Sequence, residues 1–245
     1  MTEQSWDLWR AVEMIRDLYG RPQETLAHTR FNSALRRWDY ALVHLQEVER
    51  TLHLTNDTFG KSPLSERLFL RFKINADQVA VYNDSVDRVG ANATACAANL
   101  HAIADLLAQG IAYALGMDVT DKTQFPRQPV YAYHIVARLY RDEDTKSLAE
   151  LLDDLIKNED FAYLSDLNNQ SKHNKLVRAG LMMDAREQRD PPYWTAFEAF
   201  KRRNRTHDQK DALETLEREM DRQMALIIKA GNVLNDILVV RSGEV

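Results

Sequence analysis

Cysteine, glycine and proline are scarce in this chain, and each shortage excludes a class of structure. Cys96 is the only cysteine among 245 residues, so no disulfide can form within the chain and a cysteine-based zinc site is excluded. The 8 glycines and 6 prolines leave few positions for tight turns, which argues against a β-sandwich or a β-barrel. The composition therefore favours long regular elements.

Long apolar runs and a strong charge of one sign are also missing. No apolar stretch approaches the roughly 18 residues that a membrane span needs, and the N-terminus has early acidic residues without the apolar core of a signal peptide. The formal net charge of −5 gives no overall attraction to nucleic acid, so an RNA contact would need a local basic patch. We expect a soluble cytoplasmic protein that makes no membrane contact, with Cys96 buried in its core.

Helical periodicity dominates the chain. Apolar residues recur every three or four positions in residues 1–20 and in residues 22–116, which predicts an N-terminal helix followed by a long helical hairpin. The same spacing predicts C-terminal helices over residues 145–240. We expect an all-α protein, a bundle of long antiparallel helices in which residues 1–245 form a single domain.

Some parts of this pattern leave alternatives open. Residues 66–82 alternate in part like a strand, but they also fit one helical stripe from Leu64 to Leu115, which explains more positions; Gly90 marks a potential kink in it. A helix that begins near Ser147 either continues or restarts before the next polar stretch. Asp208 is placed to be the N-cap of the last helix.

An unbroken polar run from residue 168 to residue 175 is the most unusual feature. On a helix, Asn169 and His173 share a face at a spacing of four, and Asn169 and Lys172 are neighbours at a spacing of three. Such a cluster could bind a phosphate or stabilise an oxyanion, and an imidazole can move a proton near neutral pH. A solvated helix end is the alternative. We predict a polar site centred on these three residues.

Two further polar groups are candidates. His101 and Asp105 interrupt the most apolar helix at a spacing of four, so they are either a satisfied core pair or residues that orient His173, if their helices pack together. Arg202, Arg205 and His207 belong to the densest basic cluster, residues 199–211. This cluster is either a solvated surface or a patch that contacts phosphate, and we treat its three residues as a reserve site.

A helical bundle with a late histidine in an R-x(4–6)-H motif resembles the HEPN superfamily of nucleotide-binding helical domains. The resemblance implies metal-independent ribonuclease chemistry of prokaryotic toxin or defence systems, although some members are non-catalytic. A histidine would act as base on the ribose 2′-OH while a cation steadied the phosphate. Asn168 stands where the motif has arginine, five residues before His173, and Lys172 is the substitute cation. Arg202 and His207 keep both residue types of the motif.

Two rival functions fit the same sequence. A non-catalytic helical interaction module, such as an immunity, adaptor or structural protein, would bind a protein partner through the first or the last helix. A metal-dependent phosphohydrolase of the HD type would use His173, the pair His207-Asp208 and Asp236. We expect RNA or a nucleotide as the ligand, without a metal or a cofactor. A homodimer suits the nuclease and the interaction module equally.

Overall fold

The protein is mostly helical, but it is not all-α. The computed structural model describes residues 5–69, 76–119, 131–186 and 188–243. Eight α-helices lie within these ranges, together with five short β-strands that the helical periodicity did not predict. The expected high helix content is therefore confirmed, whereas the all-α class is wrong for residues 179–211, which contain all five strands. The bundle of long antiparallel helices stays a prediction.

The helices occupy most of the predicted positions. They are α1 Leu8–Tyr19, α2 Arg21–Thr55, α3 Leu64–Phe69, α4 Ala76–Ala114, α5 Ala132–Leu139, α6 Lys146–Lys157, α7 Glu159–His173 and α8 Ala212–Ser242. The first helix ends at Gly20, whose φ of 85° lies in a region that favours glycine. A π-helical turn, Asn56–Gly60, follows α2.

The open alternatives of the sequence are partly resolved. Helices α3 and α4 lie on either side of residues 70–75, the part of the ambiguous stretch that falls outside the described residues. Helix α4 runs through Gly90 as one element. A new helix, α7, starts at Glu159 after α6 ends at Lys157, so the chain restarts there.

The predicted N-cap of the last helix is wrong. A short strand, β5 Lys210–Asp211, separates Asp208 from α8. The carboxylate of Asp211 instead accepts a hydrogen bond at 3.2 Å from the backbone N–H of Glu214, one of the donors that a helix N-terminus leaves without a helical partner.

The strands form two small antiparallel sheets. One has the order β1-β2-β5, with β1 Ala179–Met183 and β2 Tyr193–Phe197, and the other is a hairpin of β3 Phe200–Arg202 and β4 Arg205–His207. Strand β2 is rich in aromatic and β-branched residues, which suit a half-buried pleated surface. It follows two prolines, which cannot donate to a ladder.

The chain divides into two compact units, each built from separate segments. Unit 1 comprises Met1–Trp38, Leu100–Ala162 and Met220–Val245, and unit 2 comprises Asp39–Asn99 and Tyr163–Glu219. The core of unit 1 contains the fully buried side chains Ile15, Phe31, Leu100, Ile103, Leu107, Ile111, Ile135, Leu139, Leu148 and Leu152. Tyr193 and Phe197 are the largest such side chains of unit 2. The expected single domain over residues 1–245 stays a prediction.

The first and last segments of unit 1 pack against each other. The side-chain amide of Asn235 donates to the carbonyl oxygen of Asp7 at 2.9 Å, and the indole N–H of Trp6 donates to Asn235 at 3.4 Å. The Trp6 ring also occupies the space that a Cβ at Gly231 would need. Glycine at position 231 therefore allows the N-terminal segment to approach α8 closely.

Helix α8 is long and apolar enough, by length and composition, to cross a membrane. Its most apolar 18-residue window has a mean hydropathy of 1.4, and 50% of that window is buried inside the protein. The core helix of a soluble protein has the same properties. The expectation that no segment approaches the length of a span is thus corrected for this helix, the single example within the described ranges.

Candidate functional site

The polar run forms the C-terminal part of α7 and does not assemble as a cluster. Asn168 is buried, Asn169 is half-buried, and Lys172 and His173 are exposed in the last turn. The side-chain amide of Asn169 lies 3.4 Å from the Ser165 hydroxyl. Within the described chain, neither Lys172 nor His173 makes a hydrogen bond or an ion pair through its side chain. Cations are favourable near a helix C-terminus, and the catalytic role expected here stays a prediction.

The residues expected to orient His173 have other contacts in unit 1. The carboxylate of Asp105 accepts a hydrogen bond at 2.8 Å from the backbone N–H of Ala132, the first residue of α5. The His101 ring stacks on Phe161, with 5.7 Å between ring centroids. Asp105 therefore caps the start of a helix, and the orienting role of both residues stays a prediction.

The hairpin of β3 and β4 brings the reserve residues together. Phe200 pairs with His207 and Arg202 pairs with Arg205, across a turn of two residues that begins at Arg203. Opposite residues of an antiparallel pair share a face, and the next pair along projects from the other face. One face of the hairpin therefore carries both reserve arginines and His207. The third pair of the hairpin, Lys201 and Thr206, belongs to the other face and is exposed.

All three reserve side chains reach the carboxylate of Asp166 on α7. The Nε2 atom of His207 lies 3.0 Å from Asp166 Oδ2, which is a hydrogen bond. Arg202 Nε is 3.4 Å from Oδ1, and Arg205 Nη1 is 3.6 Å from Oδ2. These two distances exceed the roughly 2.7–3.2 Å of an N–H···O hydrogen bond, so both guanidinium groups are ion-paired without a well-formed hydrogen bond. We call these four residues the Asp166 cluster.

Solvent reaches the members of the Asp166 cluster unequally. The side chains of Arg202, His207 and Asp166 are 15%, 16% and 18% exposed, whereas that of Arg205 is 70% exposed. The pair of Arg205 with Asp166 is therefore the contact most weakened by water and salt. Arg202 is held in a poorly solvated place beside one carboxylate.

Aromatic rings fix the imidazole of His207. Phe200 stacks on it with 4.5 Å between centroids, and Tyr163 meets it edge-on at 5.3 Å. The Tyr163 hydroxyl is buried and has no hydrogen-bond partner within the described chain, and burial raises the pKa of Tyr163. The ammonium group of Lys210 lies 4.8 Å from the centre of the Tyr163 ring, within cation–π distance. One nitrogen of His207 is thus oriented by Asp166 while the ring itself is held by packing.

The segment that contains the Asp166 cluster's hairpin is basic. Residues 168–210 contain ten Lys and Arg against five Asp and Glu, a formal net charge of +5, whereas the whole chain has −5. This segment lies entirely within unit 2. A local patch of this kind is what an acidic protein needs to attract a polyanion.

Asp166 is the member of the cluster that the sequence did not suggest. It is the one acidic residue between positions 161 and 183, and this isolation is the sequence feature that could have indicated it. It also lies three residues after Tyr163, so the two side chains share a face of α7. Its convergence with the hairpin is a tertiary contact over about forty positions, and spacing along the chain carries no trace of it.

A cavity of about 600 Å³ lies elsewhere in unit 2, between the end of α2 and residues 189–195. Most of its charged groups are already paired: His53 and Lys61 with Asp57, and Arg189 with Asp211. The Arg189 guanidinium also lies 4.7 Å from the centre of the Trp194 ring. Unlike the arginines of the Asp166 cluster, Arg189 donates a well-formed hydrogen bond to its carboxylate partner, at 2.7 Å.

The part of the chain that the structure describes contains no candidate metal site. No group of three or more His, Cys, Asp or Glu side chains there could hold a metal ion. Within unit 2, the histidine that the HD-type alternative requires at position 207 is bound to Asp166 and packed between aromatic rings.

Comparison with known proteins assigns no family. No family model matches the chain, and no curated protein and no solved structure matches it either. The HEPN resemblance therefore rests on the sequence features alone.

Proposed function

We propose that the protein binds RNA or a nucleotide through the basic segment of unit 2, residues 168–210. The observation that carries this proposal is the hairpin, which sets two guanidinium groups and an imidazole around one carboxylate. Its exposed residues Lys201 and Arg203 add two further cations. This moves the predicted binding site from the polar run of α7 to the residues first considered a reserve.

The physical basis is phosphate chemistry. Guanidinium groups bind phosphate oxygens with two parallel N–H donors, and clustered cations gain affinity by releasing the counterions of a polyanion. Neither Arg202 nor Arg205 forms a well-aligned hydrogen bond to Asp166, so donors of both remain for a ligand. The aromatic packing around His207 holds the face of the hairpin in place.

Metal-independent RNA cleavage is the finer form of this proposal. His207 would take the proton of the ribose 2′-OH as general base, with Asp166 orienting the imidazole. Arg202 and Arg205 would steady the phosphate as negative charge develops on it. Arg202 and His207 also fit the R-x(4–6)-H motif, as three other Arg–His pairs of the chain do. The choice of His207 over His173 therefore rests on its contact with Asp166 and on the adjacent guanidinium groups.

Binding is tested with a fluorescein-labelled oligo(U) by anisotropy at several KCl concentrations. We expect Lys201→Glu combined with Arg203→Glu to weaken binding by roughly tenfold or more. The slope of the logarithm of affinity against the logarithm of salt concentration should flatten by about 0.7 for each phosphate that the protein no longer neutralises. The matched control combines Arg36→Glu with Lys229→Glu, which changes the net charge equally at positions of unit 1. Equal weakening by both double variants would attribute binding to net charge and would refute the hairpin site.

Cleavage is tested separately, with total RNA and EDTA. We expect His207→Ala to abolish cleavage and His173→Ala to retain it. The reason is that His207 has an orienting carboxylate and adjacent guanidinium groups, whereas the side chain of His173 makes no hydrogen bond or ion pair within the described residues. Loss in His173→Ala alone would return the active site to the end of α7. Absence of cleavage by the wild type, together with RNA binding, would leave a binding protein.

A non-catalytic interaction module is the second candidate, supported by one specific observation. Trp9 on α1 is 71% exposed, with its ring 5.5 Å from that of His28. An exposed tryptophan is a common anchor of protein interfaces, and both a protein partner and the expected homodimer could use it. Light scattering of the wild type and of Trp9→Ser tests the homodimer: an identical mass, equal to one chain, would argue against it.

A further inference from the structure

The arginines of the Asp166 cluster have more donors than their surroundings use. A guanidinium group has five N–H donors. The side chain of Arg202 is 15% exposed, and its polar contact within the described chain is the ion pair at 3.4 Å with Asp166. Arg205 has the corresponding contact at 3.6 Å. The site is therefore shaped for an oxyanion and is occupied by a carboxylate that satisfies it incompletely.

Asp166 sets a threshold for any anion that enters this site. An internal phosphodiester of RNA has one negative charge, as the carboxylate has, so it gains little by taking over the two arginines. A phosphomonoester has a charge of about −1.5 to −2 at neutral pH and three acceptor oxygens. It can engage both guanidinium groups with well-aligned hydrogen bonds while Asp166 keeps its bond to His207.

We propose that the Asp166 cluster binds a terminal phosphate, either at the end of an RNA strand or on a mononucleotide, in preference to an internal phosphodiester. This rests on the RNA- or nucleotide-binding form of the proposed function and names its ligand class. It is an alternative to cleavage of an internal phosphodiester at the same two arginines, and cleavage that His207→Ala abolishes would overturn it. Arg202 and Arg205 hold the phosphate, and Asp166 competes with any anion for them, so the greater charge and the additional acceptor oxygen of the monoester decide which ligand binds. The exposure of Arg205 gives the ligand its route of entry from solvent.

The first test uses the wild-type protein with two matched pairs of ligands. One pair is a short oligo(U) with a 5′-phosphate or a 5′-hydroxyl, and the other is 5′-AMP or 3′,5′-cyclic AMP, which differ in phosphate ester but not in base or sugar. Anisotropy measures the first pair and titration calorimetry the second. We expect the monoester of at least one pair to bind roughly tenfold tighter, since charge-assisted bonds to a dianion are the stronger ones.

The second test removes the charge of Asp166 without removing its oxygen acceptor. In Asp166→Asn we expect the affinity for both members of each pair to rise, and by at least as much for the monoester, because a carboxylate repels a dianion more strongly than a monoanion. Asp87→Asn is the control, because Asp87 is an exposed carboxylate of unit 2 that makes the same change in net charge. The control is expected to keep the wild-type affinities.

The outcomes separate this inference from the proposed function. Binding of AMP without binding of either oligonucleotide would refute the RNA function and support a mononucleotide site. Equal binding of both members of each pair by the wild type would overturn the inference while leaving RNA binding intact. Weaker oligonucleotide binding in Asp166→Asn than in Asp87→Asn would also overturn it, because Asp166 would then be a support of the site and not its competitor.

Discussion

At the scale of single residues, one carboxylate lies at the centre of the proposed binding site. Asp166 lies among two arginines and a histidine and is itself largely buried. Partly buried charges are screened less by salt than exposed ones. Replacing Asp166 with alanine would leave the poorly solvated guanidinium group of Arg202 without a counterion, which would lower the stability of the fold. The amide substitution is therefore more informative than alanine at this position.

Cys96 gives a prediction of a different kind. It is fully buried in α4, and burial raises the pKa of its thiol to about 12. The thiolate is the form that attacks disulfide reagents, so we expect the thiol of the native protein not to react with Ellman's reagent at about pH 8. The same reagent is expected to titrate one thiol per chain in guanidinium chloride, since Cys96 is the only cysteine. Reaction of the native protein at the unfolded rate would contradict the burial.

The raised pKa of Cys96 also makes the stability of the protein depend on pH. A raised pKa means that the unfolded chain releases the thiol proton at lower pH than the folded one. The unfolding free energy should therefore fall as the pH rises from the ordinary thiol value of about 9 toward about 12. Cys96→Ala is expected to remove the contribution of the thiol to the slope of unfolding free energy against pH. Burial also raises the pKa values of Tyr163 and Tyr193, so the contribution of these two tyrosines should remain.

At the scale of elements, aspartates define where several helices begin. The carboxylates of Asp7 and Asp211 accept hydrogen bonds from backbone N–H groups three residues on, at the starts of α1 and α8. Asp105 does the same for α5 from a distant position in the chain. The first two are local capping contacts of a kind that a sequence can suggest. The third depends on tertiary packing.

The cap by Asp105 is open to direct measurement. We expect Asp105→Ala to lower the unfolding free energy by about 1 kcal/mol, as for the removal of other N-caps, and Asp105→Asn to lower it much less because an oxygen acceptor remains. Urea unfolding followed by circular dichroism measures both.

Asp142→Ala is the matched control for this cap. Asp142 is an exposed aspartate of the same unit whose side chain caps no helix, so a change within about 0.5 kcal/mol is expected. Equal losses in Asp105→Ala and Asp142→Ala would show that the contact with Ala132 is not a stabilising cap.

The elements also show what the sequence can and cannot predict. Helix α2 has 35 residues and α8 has 31, so each offers many positions to the helical period. The pattern predicts the first residue of α2 and the last residue of α8 to within two positions. The strands have two to five residues each and give alternation too few positions to register. The hairpin turn uses Arg203 at a φ of 53° where glycine is the usual residue, so the sequence carries no turn signal there.

The candidate site illustrates the same limit. Composition alone identifies Arg202, Arg205 and His207 as a basic cluster. Their shared face depends on the β-hairpin, which the sequence pattern does not predict, because it indicates only a segment that precedes the last helix. Composition identifies the polar run too, and its location at a helix end follows from the apolar residues before it. Asp166 escapes prediction because its contact joins two elements, and no periodicity within one element reports it.

At the scale of the whole molecule, the basic segment of unit 2 differs in the sign of its net charge from the chain as a whole. The remainder of the sequence repels polyanions, so binding should be confined to the surface around residues 168–210. The other whole-molecule question is the apolar helix α8. Its side chains at Leu226, Ile227, Leu234 and Leu238 are buried in the protein, as in the core helix of a soluble protein.

Membrane association can be tested with the intact protein. We expect it to stay in the supernatant, without detergent, when centrifuged with phosphatidylcholine vesicles, because the apolar side chains of α8 are already in contact with protein. Val240 is 69% exposed on this helix, so Val240→Asp is expected to change neither solubility nor sedimentation. Vesicle binding that this substitution abolishes would assign α8 to a membrane.

The contact of Trp6 and Asp7 with α8 has a consequence for how the protein is made. Asn235 is 228 residues away from Asp7 along the chain, and ribosomes add about 5–20 residues per second. The first helix must therefore wait on the order of ten seconds or more for its packing partner to be synthesised. During that time Trp6 lacks its contact with Gly231, and Asp7 lacks its contact with Asn235. A nascent chain of this kind is a natural client for a ribosome-associated chaperone.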